Sequence, residues 1–221
     1  TRSEKMRTKT LITSAVLGMA GAAALQAQVY SVNAVGYINL TVHPGFNIAA
    51  NQLIAADATV GAVLAGVPGG TTVYKFDPTT GYDINSYDAD FEEWENADMT
   101  LNPGEGAWLR NATAEAFTVT LVGEVPQGSL TTDLAEGFNL VSSQVPQAGL
   151  VGTDLGMPVG GGDIVYTFNA DPGAGALGYT ISTYDADFEE WDPAEPTVAV
   201  GEGFWVRKAA AASWTRDFSV N

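Results

Sequence analysis

Apolar and polar positions alternate in short runs along most of the chain. Thr72-Val73-Tyr74-Lys75-Phe76 alternates and stops at Asp77-Pro78, a turn pair. Phe117-Thr118-Val119-Thr120-Leu121 alternates apolar residue with threonine, and Trp214, Phe218 and Val220 share one parity in the corresponding later segment. Val29 to Val42 is rich in Tyr, Val and Ile, and Gly203-Phe204-Trp205-Val206-Arg207 reads as a strand entered through a glycine turn. A period of two is the signature of half-buried strands. Helical spacing is confined to Ala58–Ala65 and its weaker copy Leu150–Met157, each about two turns and too short to persist without packing. The pattern predicts an all-β fold of two tandem homologous modules, β-sandwich or barrel-like, each carrying one short helical turn.

The tandem arrangement comes from an internal repeat. Pro44-Gly45-Phe46-Asn47-Ile48 recurs as Glu136-Gly137-Phe138-Asn139-Leu140, and Val73-Tyr74-Lys75-Phe76 as Val165-Tyr166-Thr167-Phe168, both 92 residues later. Tyr87 to Trp94 recurs unchanged as Tyr184 to Trp191, 97 residues later, and so does Gly104-Glu105-Gly106-Ala107-Trp108-Leu109-Arg110, as Gly201 to Arg207 with Phe204 and Val206 substituted. The difference of five residues falls in the loop Asn169–Gly178, which predicts an exposed hairpin tip there. The division is 1–27, 28–126 and 127–221, with a seam at Val125–Ser129 so short that the two halves are expected to pack together.

The first segment has address chemistry. Met6, Arg7 and Lys9 precede a 15-residue apolar run, Leu11 to Leu25, and Ala27 offers a small residue for cleavage. That is a secretory signal peptide, too short and too rich in Ala and Gly for a membrane span. The expected destination is the exterior, the cell surface or the periplasm, with no membrane span once the signal is removed. Removing that segment's net +3 from the chain's −17 leaves −20, and Lys75, Arg110, Arg207, Lys208 and Arg216 as the cations. Such a charge repels nucleic acid and anionic lipid. With no cysteine and one histidine, His43, the chain has no disulfides, no thiolate metal site, no cysteine nucleophile and no multi-histidine metal site within one chain.

The combination Gly-Phe-Asn-aliphatic, Val-Tyr-x-Phe and Pro-Gly-Glu-Gly-x-Trp-aliphatic-Arg resembles β-rich repeat modules of secreted and surface proteins from planctomycete–verrucomicrobia and bacteroidete bacteria. The segment Val29 to Tyr37 resembles the first group. Repeat two departs from the pattern with Val200 where repeat one has Pro103. The resemblance implies a secreted β module and brings no catalytic residue with it.

The duplicated acidic segment is the most suggestive chemistry. Asp88, Asp90 and Glu92, with Asp185, Asp187 and Glu189, are hard oxygen ligands in a secreted chain, and Ca²⁺ is the cation they would hold. The plainer reading is an amphipathic strand with Tyr87, Ala89 and Phe91 on one face and solvated carboxylates on the other. Trp94 and Trp191, following those acids, and Tyr87 and Tyr184 are the candidates for stacking on a sugar. Trp108 and Trp205 are expected in the cores. Arg110 and Arg207 are expected to tie the nearby carboxylates of Glu105 and Glu202. No Gly-x-Ser-x-Gly elbow accompanies His43, and twin identical motifs do not make the asymmetric acid pair of a glycoside hydrolase. The expected function is therefore non-enzymatic: a structural or adhesive surface or matrix protein, in contact with extracellular polysaccharide or other surface proteins. The alternative is a carbohydrate-binding module, calcium-dependent or free of cofactor, and behind it stands a glycoside hydrolase, which would require a deep cleft holding opposed carboxylates.

Overall fold

A computed structural model describes residues 34–220. The expected signal peptide, 1–27, lies outside the described residues. Each repeat carries a two-stranded ribbon and a five-stranded sheet, all antiparallel. In repeat one the ribbon joins β1 (Val35–Val42) to β7 (Phe117–Glu124). Its sheet uses β2 (Gly45–Ala49), β3 (Thr72–Asp77), β4 (Gly81–Asp88), β5 (Glu93–Trp94) and β6 (Ala107–Asn111), in the order β2-β6-β3-β4-β5. Repeat two repeats the plan. Its ribbon is β8 (Gly128–Leu134) with β16 (Ala212–Phe218). Its sheet is ordered β9-β15-β11-β12-β13, from β9 (Gly137–Ser142), β11 (Ile164–Asn169), β12 (Gly178–Asp185), β13 (Glu190–Asp192) and β15 (Gly203–Lys208). A short pair, β10 (Gly149–Leu150) with β14 (Thr197–Val198), has as its repeat-one counterpart the single bridge Thr59 to Thr100. The sheets are open, so the architecture is sandwich-like and not a closed barrel.

Each core fills the space between ribbon and sheet. Ile38 and Val42 of β1 and Val119 and Leu121 of β7 pack on Val73, Leu109 and Ala107 of the sheet. In repeat two Leu134 and Trp214 pack on Val165, Phe204 and Val206, and the Trp214 indole N–H donates to the Leu155 carbonyl at 2.9 Å. The expected helical turn forms in repeat one as α1 (Val60–Val63), where Thr59 caps the amide of Ala62. In repeat two residues 151–155 form turns and no helix. Leu150 offers no capping oxygen there, and Gly152 and Gly156 interrupt the segment.

The two repeats join through contacts that come in exchanged pairs. Ala49 bridges Glu202 while Glu105 bridges Val141, and the Ala50 amide donates to the Gly201 carbonyl at 2.9 Å while the Ser142 amide donates to the Gly104 carbonyl at 3.0 Å. Exchange of this kind is the mark of an isologous contact, here within one chain. The Gly-Glu-Gly motif makes it possible. A Cβ on Gly203 would lie 2.8 Å from the Ile48 side chain and 3.2 Å from the Cα of Gly106, and one on Gly106 would lie 2.8 Å from the Val141 carbonyl oxygen.

Candidate functional site

The recurring motifs place a particular set of side chains on the sheet face opposite each core. In Gly-Phe-Asn, the glycine turns the chain with a φ of 87° at Gly45 and 92° at Gly137. The asparagine locks the turn: Asn47 accepts from the His43 amide at 2.9 Å and donates to the His43 carbonyl at 2.8 Å, and Asn139 makes the same pair with Ala135. The phenylalanine between them points away from the core. Directly opposed strand residues share a face, so the registers Phe46 to Arg110, Tyr74 to Trp108, Tyr74 to Ile84 and Phe76 to Tyr82 define one outer aromatic face. Phe138, Tyr166, Trp205, Phe168 and Tyr179 define its twin.

The two faces meet at the seam. Trp108 sits edge-on to Phe168 at 4.9 Å, and Trp205 sits edge-on to Phe76 at 4.8 Å. Phe46 braces Trp108 at 5.8 Å and Phe138 braces Trp205 at 6.0 Å, both near perpendicular. Such pairs contribute about 0.5–1.5 kcal/mol each beyond the area they bury. Between the rings lie two equivalent open clefts. One, about 380 Å³, is lined by Phe46, Tyr74, Trp108, Phe168, Tyr82 and Tyr179. The other, about 410 Å³, is lined by Phe138, Tyr166, Trp205, Phe76, Ile181, Tyr179 and Tyr82. Tyr82 and Tyr179 border both clefts and are each 51% exposed. Burial raises the pKa of the Tyr179 hydroxyl, the neighbouring Tyr82 hydroxyl adds to the rise, and a hydrogen bond with the Trp205 side chain opposes it. The hydroxyl is therefore protonated at neutral pH and can both donate and accept.

The cations reinforce this face. Lys75 and Lys208 are held in ion pairs with Glu105 and Asp163, and the Arg216 guanidinium donates to the Gln147 side chain. Arg110 and Arg207 are exposed and, among the described residues, form no ion pair, so the expected ties to Glu105 and Glu202 are not made. Lys75 already occupies Glu105, and both arginines lie in register with Phe46 or Phe138 on the aromatic faces.

The sequence-predicted site residues lie elsewhere. Trp94 is 9% exposed, packed in the core of repeat one, and Trp191 is half-buried against the core of repeat two. Neither is the surface tryptophan expected from its acidic neighbours. Tyr87 lies tilted against Trp94 at 5.5 Å and Tyr184 edge-on to Trp191 at 5.4 Å. The expected core residues Trp108 and Trp205 sit on the opposite sheet face, Trp205 being buried at the seam in a cluster with Ile48 of repeat one and Leu140 of its own repeat. The acidic segment is also not a continuous strand. It turns between β4 and β5, with Asp88 accepting from the Asp90 amide at 2.8 Å and Asp185 from the Asp187 amide at 2.9 Å. Glu92 and Glu189 take positive φ values of 56° and 54°. Ala89 and Ala186 seat these turns against Gly69 and Gly161. Asp88, Asp90 and Glu92 thus occupy one exposed turn, and Asp185, Asp187 and Glu189 its twin. Among the described residues, no group of three or more His, Cys, Asp or Glu is arranged to hold a metal ion.

Two features escaped the sequence. Phe91 and Phe188, at the tips of these turns, are each 74% exposed. His43 lines a polar cleft of about 440 Å³ with Asp171 and Glu202, its Nε2 lying 3.9 Å from Asp171, and no serine borders that cleft among the described residues. No family model matches this chain, and no curated protein or solved structure matches it.

Proposed function

We propose that this chain is a secreted, non-catalytic adhesive module that holds extracellular polysaccharide on its joined aromatic faces. The observation that carries the reading is the pair of equivalent open clefts, each walled by six or more apolar side chains, nearly all of them aromatic. Open aromatic walls with a few polar groups suit a ligand that is flat and apolar on its faces and polar at its edges. A β-linked sugar ring has that form. The tyrosine hydroxyls offer hydrogen bonds to sugar hydroxyls at the clefts, and Arg110 and Arg207 lie in register with Phe46 and Phe138 on the same sheet faces. Two clefts fused in one body let one polysaccharide chain, or two, be held by both repeats, and the second contact then gains from effective concentration. The sugar-binding role thereby moves from Trp94, Trp191, Tyr87 and Tyr184 to Phe46, Tyr82, Phe138 and Tyr179. The sequence pattern that resembles bacterial surface modules, and the signal-like segment, agree with an extracellular setting.

Affinity electrophoresis through gels containing hydroxyethylcellulose, xyloglucan or laminarin tests this. The expected result is retardation by at least one of them. The double variant Y82A/Y179A removes a ring from the border of each cleft at exposed positions, and should weaken retardation at least tenfold, the scale of a lost binding hot spot. Retardation by none of the three, or equal retardation of the variant, overturns the reading.

A further inference from the structure

The two repeats treat one position in opposite ways. In repeat one the Glu105 carboxylate accepts from the Asn102 amide at 2.6 Å and from the Lys75 ammonium at 2.9 Å, and that ammonium also donates to the Thr100 carbonyl at 2.7 Å. Repeat two keeps the frame. Glu202 stands at the Glu105 position and accepts from the Ala199 amide at 2.8 Å. Thr197 stands at the Thr100 position and pairs with Leu150 as Thr100 pairs with Thr59. The cation is missing, because Thr167 replaces Lys75. Asp83, the cross-strand partner of Lys75, is also replaced, by Thr180, the partner of Thr167. Glu202 is half-buried and, among the described residues, has no ion-pair partner. Burial raises its pKa, as it does for a carboxylate without a counter-charge. Glu202 lines the polar cleft of about 440 Å³ that Thr167, Thr180, Asn47 and Asn169 also line, where the other titratable side chains among the described residues are His43 and Asp171.

We propose that this cleft binds a primary ammonium group from outside the chain, seated at Glu202 where the Lys75 ammonium sits in repeat one. The chemistry is specific. A primary ammonium has three N–H donors on a small charge; in repeat one, two of them meet a carboxylate and a backbone carbonyl. A quaternary ammonium has no donor to offer. The chain's net charge of −17 draws such a cation toward it. The ammonium of an amino sugar and that of a lysine side chain share this chemistry. Phe168 borders both this cleft and one aromatic cleft, but Glu202 lines neither aromatic cleft, so a test read at the Glu202 carboxylate leaves the polysaccharide reading to its own test.

The experiment is a heteronuclear NMR titration of the whole protein with n-butylammonium, against tetramethylammonium and potassium at equal ionic strength. The expected result is saturable shifts of the Ala199, Gly201 and Glu202 amides with n-butylammonium alone. T167K should weaken binding at least tenfold by supplying the internal ammonium, and its spectrum reports whether the fold is kept. The reciprocal variant K75T should create a second responsive set at Asn102 and Glu105, which keeps the test decisive if T167K is misfolded. Glucosamine and Nα-acetyl-lysine amide then separate the sources, the tighter binder naming the class. Identical responses to potassium and n-butylammonium, no saturation, or a K75T variant that gains no site overturn the proposal.

Discussion

The buried ion pair of repeat two gives the sharpest test of how the modules are held together. Asp163 and Lys208 are 1% and 4% exposed and contact each other directly, the ammonium also donating to the Pro158 carbonyl at 2.8 Å. Asp163 further accepts from the amides of Gly160 and Ala209, each at 2.8 Å. Repeat one does without charge at the same place. Thr71 donates to the Pro68 carbonyl at 2.7 Å, and Asn111 donates to the carbonyls of Val42 and Glu115 at 3.2 and 2.8 Å. Breaking a buried pair by removing one partner costs about 3–5 kcal/mol, because the other charge is stranded, whereas replacing both partners can be nearly neutral. K208N strands Asp163 with its two amide donors, which places the loss near 3 kcal/mol. For a protein of this size that is about 6–12 °C in Tm. D163T/K208N installs the repeat-one solution and should recover most of the loss. Urea unfolding and thermal melts of wild type, both single variants and the double variant close the cycle. A double variant as unstable as the sum of the singles would refute the argument that stranded charge, and not lost packing, sets the cost.

Glu202 makes stability depend on pH. Its folded-state pKa is raised, so its contribution is fully present below the unfolded value and is lost as pH rises through the folded value; melts from pH 4 to pH 8 should show E202Q gaining on wild type as pH rises. G203A forces a Cβ to within 2.8 Å of the Ile48 side chain and 3.2 Å of Gly106, and should destabilise by about 1–3 kcal/mol in urea unfolding. F91S/F188S alters only exposed turn tips and should leave Tm within about 2 °C, as surface substitutions do.

Much of the fold was legible because its determinants are local. The threonine alternation at Phe117–Leu121 needs no partner to be read, and β7 buries Val119 and Leu121 as that alternation implies. The repeat located equivalent strands, with the extra loop residues at the β11–β12 tip. The site was less legible because sheet parity is ambiguous when both faces are apolar. Phe204, Trp205 and Val206 are all buried, yet Phe204 and Val206 face the module core while Trp205 faces the other repeat. Only the seam between repeats, a long-range contact, makes that second face a place for aromatics. Trp94 misled for a different reason. The acids before it lie in an exposed turn, and the chain re-enters the sheet at β5, carrying Trp94 back to the core. A usable signal was present: Phe46, Tyr74, Phe76, Tyr82 and Trp108 all recur as aromatics in repeat two, more than a core of this size needs on one face.

The most direct test of the central claim locates the contact itself. Hydroxyl-radical footprinting with and without the polysaccharide that retards the protein reads each exposed ring separately. Protection confined to Phe46, Tyr82, Phe138 and Tyr179, with Phe91 and Phe188 unchanged, is the predicted result. Protection at Phe91 and Phe188 with the cleft rings unchanged would contradict it and place the contact on the acidic turns.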